Sequence, residues 1–491
     1  MVRSWGTDKQ IAVALFILVS SVYFATVVGV TSSNDGSHYA LVRAIVDRHT
    51  FEISPYLDFT EHQDYALRGD LRFSDRPPGT ALAAAPLYAL STFLPTPLKQ
   101  PPSKHDAENL RMIYAVALSP LAAASAVAIF YLTLRSYFNR SRFSALLVSL
   151  ALAFGTTTWK YGSVLYSHAL ASFVLWASVF FVLRSWNQPL RWYESLLFGF
   201  LIGFAPLVEY TSILASMILG AAWLIGTQPI RNWWADQRQR ANIIAFIVGA
   251  AIPLGFLLIY NTINFGGPFE FSTFNVDTSI WPQNQGMAAD FATPLLTGLQ
   301  GMLLYGLDNQ GLFMLSPLAL LGILGLWHFI RFTPRQAVFI LGLFVVMLVI
   351  FSKSTTFNPL TNDGRYLTPF IGLWFVPIAF WVDEVYSEQR GEVWSLILGI
   401  MLFGLLFLST RNQMVHIAFS WNYDFDMTRL RSMATAPENI SYFLSTLFPN
   451  AVNLLLLWLG EGGLIGISTI LMEWNTRRSQ IRQPGIVAEV S

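Results

Sequence analysis

Long apolar segments recur along this chain, and they restrict its fold more than any other feature. Several reach about 17 residues or more, close to the length with which a helix crosses the hydrocarbon core of a bilayer. Of the 491 residues, 54% are hydrophobic and 12% are charged, and mean hydropathy is +0.48. Soluble proteins carry about twice that charged fraction. The sequence therefore predicts an all-α polytopic membrane protein.

Composition also excludes several classes of function. The formal net charge is +1, which gives no indication of nucleic acid as a partner. The chain has no cysteine, so disulfides, thiol catalysis and cysteine-ligated metals are excluded. We find no phosphate-binding P-loop, no H-E-x-x-H and no nucleophile elbow, which argues against intracellular nucleotide chemistry.

Length and periodicity predict about twelve transmembrane helices. The first apolar segment lacks a small-residue cleavage site and is long, so it predicts a retained span and not a signal peptide. The predicted spans cover residues 10–31, 111–134, 143–159, 161–183, 193–207, 210–227, 241–262, 311–330, 336–352, 366–382, 393–410 and 448–472.

The segment 79–95 is apolar but short, and charge bias decides its placement. If it does not cross the membrane, the short loops that follow the even-numbered spans share a side with the N-terminus and hold most of the loop arginines. The short loops on the opposite side hold little more than Lys160, Lys353 and Arg365. This is a positive-inside pattern, and it fails if the segment crosses. We therefore expect both termini in the cytoplasm, and residues 79–95 as a helix lying in the outer leaflet.

Three long segments are then expected outside, at residues 32–110, 263–310 and 411–447. The first holds seventeen acidic and basic residues, which is typical of an elaborated surface and not of a connector. We divide the chain into a first membrane module, residues 1–310 with spans one to seven, and a second module, residues 311–491 with spans eight to twelve.

Asp35 follows the first span in the stretch "SNDGSHYALVRAIV". A carboxylate shielded from water near a bilayer has its pKa raised and can serve as a general base. The same residues fit a helix N-terminal capping signal. The residues alone leave both roles open, and they place His38 and Tyr39 on nearby faces of the same short helix.

Arg76 precedes two prolines and a glycine in "RPPG", just before the predicted outer-leaflet helix. Prolines stiffen this turn, so its guanidinium is well placed to bind a lipid phosphate. A contact with anionic headgroups explains it equally well.

Two further outer segments carry polar groups near the hydrocarbon. In "TTTWKYGSVLYSHALA" we expect Lys160, Tyr161 and His168 to face one cavity, with an interfacial aromatic belt as the alternative. Glu209 lies at a tip between two spans, where a charge is costly and often functional, although it could also be solvated there.

Lys353 and Arg365 lie in "KSTTFNPLTNDGRYLTPFIGLW", on the side where other short loops avoid cations. An exception to the charge rule suggests phosphate binding, and headgroup contacts are again the alternative.

Taken together, several stretches resemble the GT-C superfamily of integral-membrane glycosyltransferases. The resemblance is closest to the bacterial branch of protein O-mannosyltransferases and lipid A aminoarabinose transferases. It runs in order over about 35–375 and is carried by these stretches: "NDGSHYALVRAIVDRHTFEI", "FSDRPPGTALAAAPLYAL", "ENLRMIYAVAL", "GTTTWKYGSVLYSHALASF", "NFGGPFEFSTF", "GLDNQGLFMLSPLALLGILGL" and "GRYLTPF".

The resemblance implies roles for individual residues. In that family an acidic residue of the first outer loop is the catalytic base, and Asp35 matches it. Arg76 stands where a lysine is more usual, and Arg365 lies in a "GPRYL"-like stretch whose proline is missing. Residues after about 385 resemble nothing in the family that we can place.

The implied activity transfers a sugar from a polyprenyl-phosphate donor to a lipid, glycan or protein acceptor on the outer face of the membrane. Asp35 would deprotonate the acceptor, with His38, Tyr39 or Glu209 orienting it, and Arg76, Lys353 and Arg365 would bind the phosphate. One-step substitution would invert the anomeric centre. The resemblance requires no cofactor with certainty and leaves a divalent cation open, together with the sugar and the acceptor.

Two other kinds of protein fit the same sequence. One is a lipid-linked glycan polymerase, ligase or flippase, although a flippase needs charged groups within its spans. The other is a non-catalytic membrane subunit on a GT-C scaffold.

Overall fold

The protein is described by a computed structural model. It describes residues 2–27, 29–93, 111–227, 236–280, 291–305, 311–355, 364–386 and 392–419. The predicted outer segment 411–447 and the twelfth span, 448–472, therefore lie largely or wholly outside the described residues.

Helices dominate the described part of the chain. The α-helices are α1 Val2–Ala25, α2 Ser33–Arg48, α3 Gly79–Leu90, α4 Leu118–Ser136, α5 Arg142–Phe154, α6 Thr158–Tyr161, α7 Ser167–Asn187, α8 Trp192–Val208, α9 Ser212–Thr227, α10 Gln237–Phe265, α11 Leu295–Leu303, α12 Leu312–Leu315, α13 Leu321–Phe332, α14 Pro334–Lys353, α15 Ile371–Val385 and α16 Glu392–Phe419. Short 3₁₀ helices cover Ser54–Thr60, Ser91–Phe93, Ser272–Phe274, Pro317–Leu320 and Arg365–Phe370.

Seven helices of the described residues are long and apolar enough to cross a membrane, and four shorter apolar helices accompany them. The eleven predicted spans that fall on described residues each coincide with one of these helices. The all-α polytopic fold is thus confirmed, whereas the count of twelve is not.

Two predicted spans are wrong, one in where its helix begins and the other in its continuity. The fourth begins at Ser167 and not at residue 161, because Thr158–Tyr161 forms a separate turn. The eighth is interrupted after Leu315, where Pro317 cannot donate a backbone hydrogen bond and a 3₁₀ turn intervenes before α13.

The helices pack around an extensive apolar core. One buried cluster contains residues of α1, α4, α5, α7 and α8 from the first predicted module and of α13 to α15 from the second. It includes Phe130, Trp176, Phe198, Leu343 and Phe380. Backbones approach closely where a glycine allows it: a Cβ on Gly325 would lie 1.9 Å from Pro377 O. The division of the chain at residue 310 stays a prediction.

The described part of the first predicted outer segment, residues 32–93, contains two α-helices and a β-hairpin. Helix α2 packs against α3 and against the 3₁₀ turn Ser54–Thr60, and a Cβ on Gly36 would meet Phe59 O at 1.7 Å. Strands β1, Tyr65–Arg68, and β2, Leu71–Ser74, pair antiparallel through a two-residue turn in which Gly69 has φ of 58°.

Helix α3 corresponds to the segment whose placement rested on charge bias. Its twelve residues give a length of about 18 Å, well short of the roughly 30 Å of a hydrocarbon core. Gly79, Ala81, Ala84 and Tyr88 are buried against neighbouring elements. The helix fits the expected short outer helix, and its position in the leaflet stays a prediction.

Candidate active site

Asp35 lies in the first turn of α2 and closes a capping box with Ser32. One carboxylate oxygen accepts hydrogen bonds from Thr31 N at 2.8 Å and Thr31 Oγ1 at 3.0 Å, and the other accepts from Ser32 N and Ser32 Oγ, both at 2.8 Å. The side chain is fully buried. The capping interpretation of this stretch is therefore confirmed, and it does not exclude chemistry.

Burial dominates the electrostatics of Asp35. Desolvation raises the pKa of its carboxyl group from an ordinary 3.8 to about 6, although the hydrogen bonds from Thr31 and Ser32 act in the opposite direction. A carboxylate with a pKa near 6 is largely ionised at neutral pH and is a stronger base than an exposed aspartate.

The β-hairpin brings two more carboxylates beside α2. Because Tyr65 pairs with Ser74, the residues just outside this pair, Asp64 and Asp75, lie at the open end of the hairpin. Ser33 Oγ donates to Asp64 Oδ2 at 2.9 Å. Ser37 of α2 connects the hairpin to this helix. Its Oγ donates a hydrogen bond to Asp75 Oδ1 at 3.1 Å and lies 2.8 Å from Ser74 Oγ of β2.

Arg76 lies between these two carboxylates. Its Nη2 is 3.1 Å from Asp64 Oδ2 and its Nε is 3.3 Å from Asp75 Oδ1. About one fifth of the Arg76 side chain is exposed, compared with 8% of each aspartate. Burial lowers the pKa of the guanidinium, but the two carboxylates outweigh it and raise the pKa overall, whereas the charge of Arg365 acts against them.

The turn after Arg76 rests on the end of α8. A Cβ on Gly79 would lie 2.5 Å from Leu207 O, so only glycine permits this approach. Glu209 follows two residues later, and its Oε2 accepts a hydrogen bond from Ser167 Oγ at 2.8 Å. Burial raises the pKa of Glu209, opposed by Ser167 and by the charges of Arg76 and Arg365. Glu209 therefore faces the same cluster.

Aromatic rings surround Arg365. Its guanidinium carbon lies 5.6 Å from the ring centre of Tyr166 and 5.3 Å from that of Tyr366. The His168 ring is 5.3 Å from the Tyr366 ring and 5.1 Å from that of Tyr161. Tyr166 OH lies 2.8 Å from Ser32 Oγ, which joins this ring cluster to the capping box of Asp35.

His38 is buried, and its Nδ1 has no hydrogen-bond partner among the described residues. Burial, reinforced by the charge of Arg76, lowers the pKa of His38 to about 3. The imidazole is consequently neutral at physiological pH. It can orient a hydroxyl group without adding charge to the site.

We call the set Asp35, His38, Asp64, Asp75, Arg76, Tyr166, Glu209 and Arg365 the outer cluster. Five predicted site residues are not members of this set. Tyr161 and His168 belong to the aromatic rings near Arg365, and the other three are Tyr39, Lys353 and Lys160. Tyr39 packs edge-on against Phe59 and Tyr88 in an apolar cluster. Lys353 ends α14, and within the described residues no contact joins its side chain to Arg76 or Arg365. Lys160 is buried with its Nζ 2.8 Å from His416 Nε2 on α16 and 5.5 Å from the ring centre of Tyr161.

Sequence reasoning missed Asp64, Asp75 and Tyr166. The hairpin that aligns the two aspartates had a readable signal, because Gly69-Asp70 is a two-residue turn between alternating strands. Tyr166 had no such signal, since its position depends on the break between α6 and α7.

The described residues contain no group of three or more His, Asp or Glu side chains that could hold a metal ion. In the outer cluster, Asp64 and Asp75 are already paired with Arg76, whose positive charge disfavours the binding of a metal cation between them. We therefore assign no step to a metal.

Comparison with solved structures shows that the helical architecture of the chain is a known fold. The chain is similar to ArnT from Cupriavidus metallidurans bound to undecaprenyl phosphate, with a TM-score of 0.52 and 15% identity over 94% of this chain and 76% of that chain. The apo state of ArnT gives the same TM-score of 0.52, with 14% identity over 96% of this chain and 77% of that chain. The archaeal oligosaccharyltransferase AglB from Archaeoglobus fulgidus gives a lower TM-score of 0.47, with 12% identity over 91% and 60%. No protein-family model and no curated protein matches the chain.

The likeness to ArnT defines the fold. The chain has the multi-helix membrane fold of ArnT, in agreement with the all-α polytopic fold expected from its sequence. At this level of identity the likeness covers the architecture alone, and the chemistry must be argued from the residues of the outer cluster.

Proposed function

We propose that the protein is a membrane glycosyltransferase that takes its sugar from a polyprenyl-phosphate donor. The observation that carries this proposal is that contacts join two arginines to the helix of the buried Asp35 carboxylate: Asp64 and Asp75 link Arg76 to serines of α2, and Arg365 lies beside Tyr166, whose hydroxyl is 2.8 Å from Ser32 Oγ. Undecaprenyl phosphate bound to ArnT supports the same class of donor.

The leaving group explains why the site needs cations. In the transfer, the bond between the anomeric carbon and the phosphate oxygen breaks, and its electron pair stays on the phosphate. Negative charge therefore grows where Arg76 and Arg365 can stabilise it. Guanidinium groups bind phosphate oxygens through paired N–H donors, so no general acid is required.

The incoming group explains the carboxylate. The acceptor hydroxyl or amine forms a new bond to the anomeric carbon and gives its proton to Asp35. Each Asp35 oxygen is bonded to one backbone N–H, which is fixed, and to one hydroxyl, which can rotate away. An acceptor hydroxyl can take the place of the Thr31 or Ser32 hydroxyl. Attack on the face opposite the phosphate gives inversion.

Two further side chains then orient the acceptor or the sugar. His38 does so as a neutral imidazole, and Glu209 as a carboxyl group that interacts with the charges of both arginines. The sugar, the acceptor (lipid, glycan or protein) and any role for Tyr39, Lys353, Lys160, Tyr161 and His168 in substrate binding stay open to experiment.

A flippase, polymerase or ligase of lipid-linked glycans remains the alternative function. Its test is whether the headgroup crosses the bilayer. The concentration of charged groups in the outer cluster favours the transferase, because a flippase needs such groups along the path across the membrane.

Binding of undecaprenyl phosphate to the purified full chain tests the phosphate clamp. We expect Arg76→Ala and Arg365→Ala each to weaken binding at least about tenfold, since each removes a charge-assisted contact. Arg331→Ala, an exposed arginine at the end of α13, is the matched control. Equal binding by the control and both cluster variants would reject the clamp. Release of undecaprenyl phosphate from undecaprenyl-phosphate sugars supplied with acceptor lipids then tests transfer.

We further propose that the outer cluster faces away from the cytoplasm, in the inner membrane, with both termini cytoplasmic. The chain has no cysteine, so single cysteines report on topology without background. A cysteine at Asp70, in the exposed hairpin turn, should react with an impermeant thiol reagent from outside, and one at the exposed Asn187 should not. The reverse pattern would overturn this orientation.

A further inference from the structure

The surroundings of Arg76 contain more negative charge than a phosphate site would ordinarily tolerate. Asp64 and Asp75 both contact the one guanidinium, so this group of three residues carries a net charge of −1 when both aspartates are ionised. Both carboxylates lie along the Nε and Nη2 side. The Nη1 group lies on the other side of the guanidinium from these two contacts, and about one fifth of the arginine side chain is exposed.

We propose that Asp64, together with Asp75, sets the charge selectivity of the phosphate site and weakens its hold on the doubly charged product. The inference rests on the proposed function, in which the donor is a phosphodiester with one negative charge. Transfer leaves a phosphomonoester, which gains a second charge near and above pH 6. A phosphate at Nη1 lies a few ångströms from both carboxylates, so the additional charge is repelled.

The contacts of Asp64 allow its charge to be separated from its geometry. A single oxygen, Oδ2, both accepts the hydrogen bond of Ser33 and lies against Arg76 Nη2. The side-chain oxygen of an asparagine can take this position and keep both contacts. Asp64→Asn therefore removes the charge while preserving the arrangement of Arg76.

Binding of undecaprenyl phosphate, a phosphomonoester, to the full-length purified chain at pH 8 tests the proposal. We expect Asp64→Asn to bind it on the order of tenfold more tightly than the wild type, because one like charge close to the phosphate is gone. Asp75→Asn should tighten binding independently. Asp58→Asn removes an equal charge from the same outer segment, at a side chain that is 96% exposed and pairs with His62, and should leave affinity unchanged.

The outcomes separate the two proposals. Unchanged or weaker binding by Asp64→Asn and Asp75→Asn, in a wild type that binds and depends on Arg76, would overturn the charge selectivity alone. A wild type that does not bind undecaprenyl phosphate, or binds it equally well after Arg76→Ala, would overturn the proposed function and this inference with it. If the aspartates only position Arg76, Asp64→Asn should match the wild type while Asp64→Ala binds more weakly.

Discussion

Two clusters of arginine and aspartate in this molecule use the same residue types in opposite proportions. Near the N-terminus, one carboxylate holds two guanidinium groups: Asp8 Oδ1 lies 2.7 Å from Arg142 Nε and 3.2 Å from Arg135 Nε, and Tyr131 OH donates to the same oxygen at 3.2 Å. In the outer cluster, one guanidinium lies between two carboxylates.

The proportions indicate different roles. Asp8 joins α1, α4 and α5, and its oxygens are engaged by three surrounding side chains, as in a structural link between helices. Arg76 Nε lies 3.3 Å from Asp75 Oδ1 but makes no well-formed hydrogen bond among the described residues, and the buried Nδ1 of His38 has no hydrogen-bond partner there either. Unsatisfied buried polar groups are costly, so they are expected where a ligand completes them.

The largest effect is expected at Asp35. Asp35→Asn retains the size of the side chain and removes the base, and should lower sugar transfer about a thousandfold. If Asp35 acts only as a helix cap, transfer should persist and the loss should appear as about 1 kcal/mol of stability. Transfer rate and thermal melting, measured on the same preparation, distinguish the two roles.

Asp8→Ala should act on stability instead. It leaves two largely buried guanidinium groups without their carboxylate, which costs about 3 kcal/mol. Thermal melting in detergent should fall accordingly, whereas affinity for undecaprenyl phosphate in the folded fraction should stay at the wild-type value. A loss of affinity without a loss of stability would remove the contrast between the clusters.

The transfer rate should depend on pH through Asp35. Its pKa of about 6 means that the base is protonated at lower pH, so the rate should fall about tenfold for each pH unit below about 6 and level off above it. Asp75 also has a pKa raised to about 6, mainly by burial. Asp75→Asn removes this second titrating group, and the pH dependence of the transfer rate should persist because Asp35 is the base. Loss of the pH dependence in this variant would assign it to Asp75 instead.

The smallest effect is expected from Tyr166→Phe. This change removes only the hydroxyl that lies 2.8 Å from Ser32 Oγ and leaves the ring near Arg365. Loss of one hydrogen bond of this kind corresponds to a severalfold change in the transfer rate. An effect as large as that of Asp35→Asn would make Tyr166 part of the chemistry itself.

Much of the fold follows from sequence because the bilayer leaves few alternatives. Apolar length located the helices, and charge bias indicated that residues 79–95 do not cross the membrane, with which the twelve-residue length of α3 is compatible. Helix interruptions at Ser316 and near residue 162 were missed, since apolar composition continues across them.

The site was predictable in its local parts and not in its pairings. Asp35, Arg76, Glu209 and Arg365 were found because each is a charge close to an apolar segment or in a family-like motif. Asp64 and Asp75 were missed because their importance comes from the hairpin register, which places them on either side of Arg76. Lys353 was predicted by the same charge rule as Arg365, and its role stays a prediction. Lys160 was expected to face a cavity with Tyr161 and His168, and its Nζ lies 2.8 Å from His416 Nε2.

The most direct test of this account is an experimental structure with undecaprenyl phosphate bound. We predict phosphate oxygens within hydrogen-bond distance of the guanidinium groups of both Arg76 and Arg365, with Asp35 facing the side from which an acceptor approaches. Phosphate bound elsewhere, such as beside Lys160 and His416, with Arg76 still held only by Asp64 and Asp75, would contradict it.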